Sequence, residues 1–209
     1  DNQEMFDLRM VSNYGWTEEY VEKFSQMEGV QAAEGLIYMD LIARYGENTE
    51  DSVFRFYGIP QTLNRIYLRG GRLPEAENEC LADGFYFDDR ILGKTISISP
   101  SNEKDALDSL RYKEFTIVGY IASPLYMDMN RGTTSVGSGS LENYFYIPAD
   151  AFDVEYYTEI NVSLDCDYRI YTDEYNEFID DYVDNVEPEA ENLSMARYLD
   201  VKEEAEEEY

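Results

Sequence analysis

The stretch Tyr67–Leu81, YLRGGRLPEAENECL, constrains the chain most. Gly70-Gly71 opens backbone conformations with positive φ, and Pro74 has no N–H to give to a strand ladder, so the chain has to turn here. Beyond the turn, Glu79-Cys80-Leu81-Ala82 reads as a short buried strand. Phe115, Ile117 and Val118 read as a second, ending at Gly119-Tyr120 and stopped by Ser123-Pro124. A Gly/Ser loop, RGTTSVGSGS, leads into a third, Tyr144-Phe145-Tyr146-Ile147, closed by Pro148.

Before the turn the pattern differs. Met5 to Val11 alternates as a strand, and Asn13-Tyr14-Gly15 breaks it. Thr17 is a good N-cap for a helix, with Trp16 stapled onto Val21 and with Tyr20, Val21, Phe24 and Met27 on one face. Gly29 is the expected stop. Val30 to Tyr45 has β character, residues 46–51 form a turn, and Val53 to Ile59 returns as a hairpin. Pro60 then opens a segment of short strands, including Thr95 to Ser99, and a short helix near Gly84 to Leu92. A polar loop or short helix runs from Ser99 through Leu110. After Pro148, Glu159 to Leu164 is another strand. Thr172 or Asp173 caps a helix with Tyr175, Phe178, Ile179, Tyr182, Val183 and Val186 on one face. Pro188 separates off an acidic, helix-favouring tail.

The expected fold class is α+β. A ferredoxin-like (porter-like) β-α-β-β…β-α unit is interrupted by a small inserted α/β subdomain and followed by a C-terminal helix. The expected boundaries are 1–60 and 155–187 for the two parts of the porter-like unit, 61–154 for the insert, and 188–209 for the acidic helical segment. Hinges are expected around Gly58–Pro60 and Ala149–Phe152.

Charge excludes several functions. With 45 acidic and 16 basic residues the net charge is −29, a surface that repels nucleic-acid phosphates and anionic lipid. There is no His, which removes the commonest general base and metal ligand. The two cysteines, Cys80 and Cys166, lie far apart without a CxxC; they read as two separate buried thiols or as one disulfide in an oxidising space. The longest apolar-rich run, Phe115 to Met127, falls short of the ~20 residues a membrane-spanning helix needs. The beginning at Asp1 and the end at Glu206-Glu207-Glu208-Tyr209 both read as cuts, so a fragment whose flanks carry membrane segments is expected.

The chemical motifs resolve to bland readings. Gly93-Lys94-Thr95 looks like the tail of a phosphate-binding loop, but Asp88 stands where that motif needs Gly, and strand character follows where it needs a helix. Ser135 and Ser138 have no His to activate them. Carboxylate pairs such as Asp88-Asp89 and Asp180-Asp181 are the chance product of an acidic chain. Asp165 and Asp167 lack the ordered ligand spacing of a calcium loop. No catalytic, cofactor-binding or metal-binding residue is assigned. The connection Gly119–Gly139 is too long for a tight hairpin, and long loops often carry function. Its apolar residues Tyr126, Met127, Met129 and Val136 are the candidate partner or substrate contacts.

Four motifs in order resemble the extracytoplasmic MacB-like periplasmic core domain of FtsX/MacB-type ABC transporter permeases, and the resemblance covers roughly Leu8 to Leu164. They are a Gly-Arg-x-Pro turn running into Asn78-Glu79-Cys80-Leu81, the strand opener Leu92-Gly93-Lys94-Thr95, the Phe-Thr-Ile-Val-Gly strand, and the aromatic strand ending in Pro148. The resemblance implies a non-enzymatic domain on the extracytoplasmic face of a bacterial membrane. ATP would be hydrolysed by a separate cytoplasmic ATP-binding subunit, reached through transmembrane segments. A second permease copy and an extracytoplasmic partner protein or substrate would complete the assembly, with no cofactor and no nucleic acid. The rival reading is a secreted domain that grips a peptide or carbohydrate with exposed Tyr and Trp16.

Overall fold

A computed structural model describes residues 5–47, 50–126, 131–170 and 172–207. The chain forms two compact units, Leu36–Glu155 and, from both ends of the sequence, Phe6–Gly35 with Tyr156–Tyr209.

Among the described residues the larger unit holds seven strands: β3 (Tyr38–Tyr45), β4 (Ser52–Gly58), β5 (Tyr67–Gly71), β6 (Glu79–Asp83), β7 (Thr95–Ile98), β8 (Glu114–Ala122) and β9 (Asn143–Ile147), numbered after β1 (Leu8–Trp16) and β2 (Val30–Leu36) of the smaller unit. Of those in the larger unit, six close on themselves in the order β8-β6-β9-β4-β3-β7-β8, and β5 is attached outside, on the C-terminal half of β8. Pairs β4–β9 and β6–β8 are parallel and the others antiparallel.

The closed ring follows from period-2 patterning. Each ring strand sends two residues at i and i+2 into one buried cluster: Leu41 and Ala43, Phe54 and Phe56, Cys80 and Ala82, Ile96 and Ile98, Phe115 and Ile117, Phe145 and Ile147. The rings of Phe54 and Phe56 both pack on Phe145, with centroids 5.5 and 5.7 Å apart. Each buried Phe or Ile contributes about 1.5–3 kcal/mol. On the outer face Tyr57 of β4, Leu81 of β6 and Tyr144 and Tyr146 of β9 are also buried, because with Ile121 of β8 they form a second cluster. That double burial explains why β9 is apolar or aromatic almost throughout.

The smaller unit holds β1 (Leu8–Trp16), helix α1 (Glu18–Ser25), β2 (Val30–Leu36, whose last residue enters the larger unit), β10 (Tyr157–Leu164) and a long helix numbered α3 below (Asp173–Glu207); the short α2 (Lys104–Asp108) belongs to the larger unit. The sheet order is β1-β10-β2, so β10 lies between the two strands of the β-α-β segment. Ile160, Val162 and Leu164 of β10 pack with Trp16, Tyr20, Val21 and Phe24 and with a stripe along α3 that includes Phe178, Tyr182, Ala190 and Leu193.

Several expectations change. The hairpin of β3 and β4 does not join the sheet of β1, β10 and β2; it pairs with β7 and β9 in the closed ring. The long β segment from Val30 breaks at Ile37, where the chain passes from one sheet to the other, so the units meet at residues 35/36 and 155/156 rather than at 60/61 and 154/155. The expected hinges at Gly58–Pro60 and Ala149–Phe152 lie inside the larger unit, where Gly58 donates its N–H to Ile37 O at 2.9 Å. Gly70-Gly71 does not turn the chain: both residues are in β5, where Gly71 has φ 75° and a Cβ would strike the Val118 carbonyl, and the turn follows them. Between Gly84 and Leu92 there is one 3-10 turn, Asp89–Ile91, capped by Asp88. Asn13-Tyr14-Gly15 does not end β1 but is absorbed as a register shift between Val11 and Trp16.

Trp16 is 2% exposed, its indole N–H donating to Met10 O at 3.1 Å, which removes it as a surface contact. Pro188 does not separate the tail, because α3 runs through it without interruption. Proline in a helix interior costs about 3 kcal/mol. The packing of Val186 before it and of Ala190, Leu193 and Ala196 after it on one core outweighs that cost. Beyond the proline, Arg197 donates to Gly15 O at 3.2 Å and Tyr20 donates to Asp200 at 2.6 Å, tying the second half down.

Candidate functional site

The end of β6 and the start of β9 carry the most unusual side-chain chemistry of the larger unit. The strand ECLAD delivers Asp83 into the interior, where it is fully buried. One carboxylate oxygen accepts from the Phe85 backbone N–H at 2.9 Å, and the other accepts from Arg131 Nε at 2.8 Å and pairs with its terminal nitrogen at 2.5 Å. Arg131 is itself 4% exposed. A desolvated ion pair holds only when its geometry is good and its remaining groups are satisfied.

Aromatic rings complete the surroundings. The guanidinium carbon of Arg131 lies 5.1 Å from the ring centres of Tyr86 and Tyr126, 5.2 Å from Tyr144 and 5.8 Å from Phe85. Tyr126 stacks on Tyr144 with centroids 4.5 Å apart and planes 12° from parallel. Its hydroxyl meets that of Tyr57 at 2.9 Å, and Ser123 Oγ meets the Tyr146 hydroxyl at 2.8 Å. Burial raises the Tyr57 and Tyr144 phenols well above their ordinary range; the charge of Asp83 adds to it at Tyr144, and the neighbouring Tyr126 at Tyr57. These hydroxyls are therefore neutral, and none is a base or nucleophile near neutral pH. The cluster fastens chain segments and presents ring faces. Phe85 and Tyr86 remain 51% and 47% exposed, so its outer surface offers aromatic contact.

Of the sequence candidates, Tyr126 belongs to this cluster and is half-buried within it. Val136 goes elsewhere. It is half-buried in a loop in which Thr133 bridges Ser140, and its neighbour Gly137 lies against Val53 and Ile42. Met127 and Met129 lie outside the described residues. Lys94 directly precedes β7, a strand, which leaves the phosphate-loop motif without its helix. Cys80 is a buried free thiol on β6 and Cys166 a half-buried free thiol. Sequence reading missed Asp83, Phe85, Tyr86, Arg131 and Tyr144. A signal was present for Arg131, which is the sole cation between Lys113 and Arg169.

No protein-family model matches the chain, and no curated protein matches it. Among solved structures it is similar to the extracellular domain of the noncanonic ABC-type transporter YknZ from Gram-positive bacteria, at 14% identity over 85% of this chain and 91% of that one, with a TM-score of 0.47. It is also similar to the periplasmic region of MacB from Actinobacillus actinomycetemcomitans, at 13% identity over 85% of this chain and 82% of that one, with a TM-score of 0.47. Among the described residues, no helix is long and apolar enough to cross a membrane.

Proposed function

We propose that the chain is a non-catalytic extracytoplasmic domain of an ABC transporter permease, passing motion driven by cytoplasmic ATP hydrolysis to export, to extraction or to a partner protein outside the membrane. One observation carries the reading. The motifs that resemble such permeases are scattered over residues 71–148, yet they form or lead into four strands that neighbour one another in one closed sheet, in the order β7-β8-β6-β9. A chance series of short matches has no reason to assemble into contiguous sheet neighbours. The smaller unit, with β10 between β1 and β2, fits a ferredoxin-like, porter-like element shortened by one strand. Its helix α3, 35 residues and so about 50 Å long, suits the transmission of displacement. The partners are a cytoplasmic ATP-binding subunit, a second permease copy and an extracytoplasmic protein or substrate.

The second reading, a surface domain that binds peptide or carbohydrate, draws on exposed Phe85 and Tyr86 and no longer on Trp16. Accessibility in the cell separates the extracytoplasmic reading from an intracellular one. Ser138 is exposed, and in a full-length protein carrying Ser138→Cys and Cys166→Ser the remaining Cys80 is buried. A membrane-impermeant maleimide should label Cys-substituted position 138 in intact spheroplasts as fully as in lysed ones. Labelling only after lysis overturns the proposal. Release of the labelled protein into the medium, with no membrane fraction, favours the secreted reading instead.

A further inference from the structure

We infer that a hollow on the outer face of the closed ring, where Arg44, Arg111 and Lys113 meet, binds the phosphate group of a small soluble phosphomonoester. The inference concerns the larger unit alone and stands whether or not the transporter reading holds.

The hollow measures about 610 Å³. Its lining includes Arg44 of β3, Ser97 of β7, Asn78 ahead of β6, and Arg111, Tyr112 and Lys113 ahead of β8. Strand alternation places them. Ala43, Ile96 and Phe115 point into the ring, so their neighbours Arg44, Ser97 and Glu114 face out. Arg44 lies opposite Ser97, and Ser97 opposite Glu114, across three adjacent strands.

The sign of the site is what sets it apart. Acids outnumber bases 45 to 16 in the chain, yet three of the cations line one hollow whose lining holds a single carboxylate, Glu114. Hydrogen-bond donors are in excess there too. Arg44 is exposed and makes no ion pair among the described residues. Arg111 touches Asp153 through Nε at 3.4 Å, a solvated pair that leaves its terminal nitrogens uncommitted. Lys113 Nζ donates to the Leu107 and Leu110 carbonyls at 2.6 and 2.5 Å, which fixes the ammonium and leaves it one further proton. A phosphomonoester brings a charge of about −1.5 to −2 and three acceptor oxygens. Guanidinium forks engage such oxygens two at a time. Tyr112, held by its hydroxyl to Glu77 at 3.0 Å, is 37% exposed and offers ring surface to the organic remainder.

Net charge selects the source of the phosphate. At −29 the chain repels an anionic bilayer and any polyanion, most of whose charges lie outside one hollow. A single phosphate seated within the Debye length of ~8 Å from three cations is governed by them instead. A soluble monoester therefore fits, and a lipid phosphate does not.

The test follows amide proton–nitrogen correlation spectra of the chain 1–209 during titration with phenyl phosphate. Signals of Ser97 and of residues 111–114 should move saturably. Benzoate, with one charge and two oxygens, should bind at least about tenfold more weakly. Phenyl phosphate should lose about as much affinity in Arg44→Gln/Arg111→Gln. It should keep its affinity in Arg65→Gln/Arg90→Gln, which removes equal charge from exposed positions elsewhere in the larger unit. Glu114→Gln should tighten binding, because it removes the carboxylate in the lining. Equal affinity for benzoate, equal losses in the two double variants, looser binding in Glu114→Gln or no saturable shift overturns the inference. So does recruitment of the chain to vesicles containing phosphatidic acid that Arg44→Gln/Arg111→Gln abolishes, since the source would then be a lipid.

Discussion

Arg131 Nε lies 2.8 Å from the buried carboxylate of Asp83, a residue 48 positions earlier in the chain, and both side chains are shut away from water. Removing the guanidinium leaves a charge buried without its partner. Arg131→Ala should therefore destabilise the chain by about 3–5 kcal/mol in urea unfolding. The double variant Asp83→Ala/Arg131→Ala should lose less than the sum of the two single losses, because neither orphaned charge remains. Strict additivity would mean that the pair is not coupled.

Pro188 sits exposed inside α3 and has no N–H to give to the helix ladder. Pro188→Ala should raise stability by up to about 3 kcal/mol and increase the helical signal in circular dichroism. A loss of stability would show that the helix needs the local geometry proline imposes.

Glu79 anchors the turn that precedes β6. Its carboxylate accepts from both terminal nitrogens of Arg72 and from the backbone N–H of Glu75 at 2.8 Å. Hydrogen bonding from Arg72 first, and from the Glu75 backbone second, holds its carboxyl down at about 2. An unfolded glutamate titrates near ~4.3, so this stabilisation is present above that pH and disappears as pH falls through about 2. The melting-temperature gap between the native chain and Glu79→Gln should be constant above pH 6 and shrink steadily between pH 4 and pH 2. A gap independent of pH would show that the carboxylate's charge contributes nothing.

Met129 and Val136 remain the candidate contacts of the Gly119–Gly139 connection. Replacing both by Ser in a full-length transporter should lower transport or partner activation while expression holds. Unchanged activity would make the connection structural only, and would point to the exposed rings of Phe85 and Tyr86 as the next surface to alter.

Local alternation made the short strands legible. Phe115 and Ile117, or Phe145 and Ile147, announce a buried strand face in any context, and Tyr20, Val21 and Phe24 announce a helix face, because side-chain direction repeats every two residues in one case and every 3.6 in the other. The motif order that points to a permease domain is likewise a property of the sequence. What tertiary structure alone decided is partnership. The hairpin of β3 and β4 is a hairpin in either sheet, and only its pairing with β7 and β9 assigns it to the closed ring. Asp83 reads as one acid among 45 until Arg131 is folded against it. Pro188 reads as a stop until Val186, Ala190 and Leu193 are seen on one core. Each of these depends on contacts between residues distant in sequence, whose energies no local pattern contains.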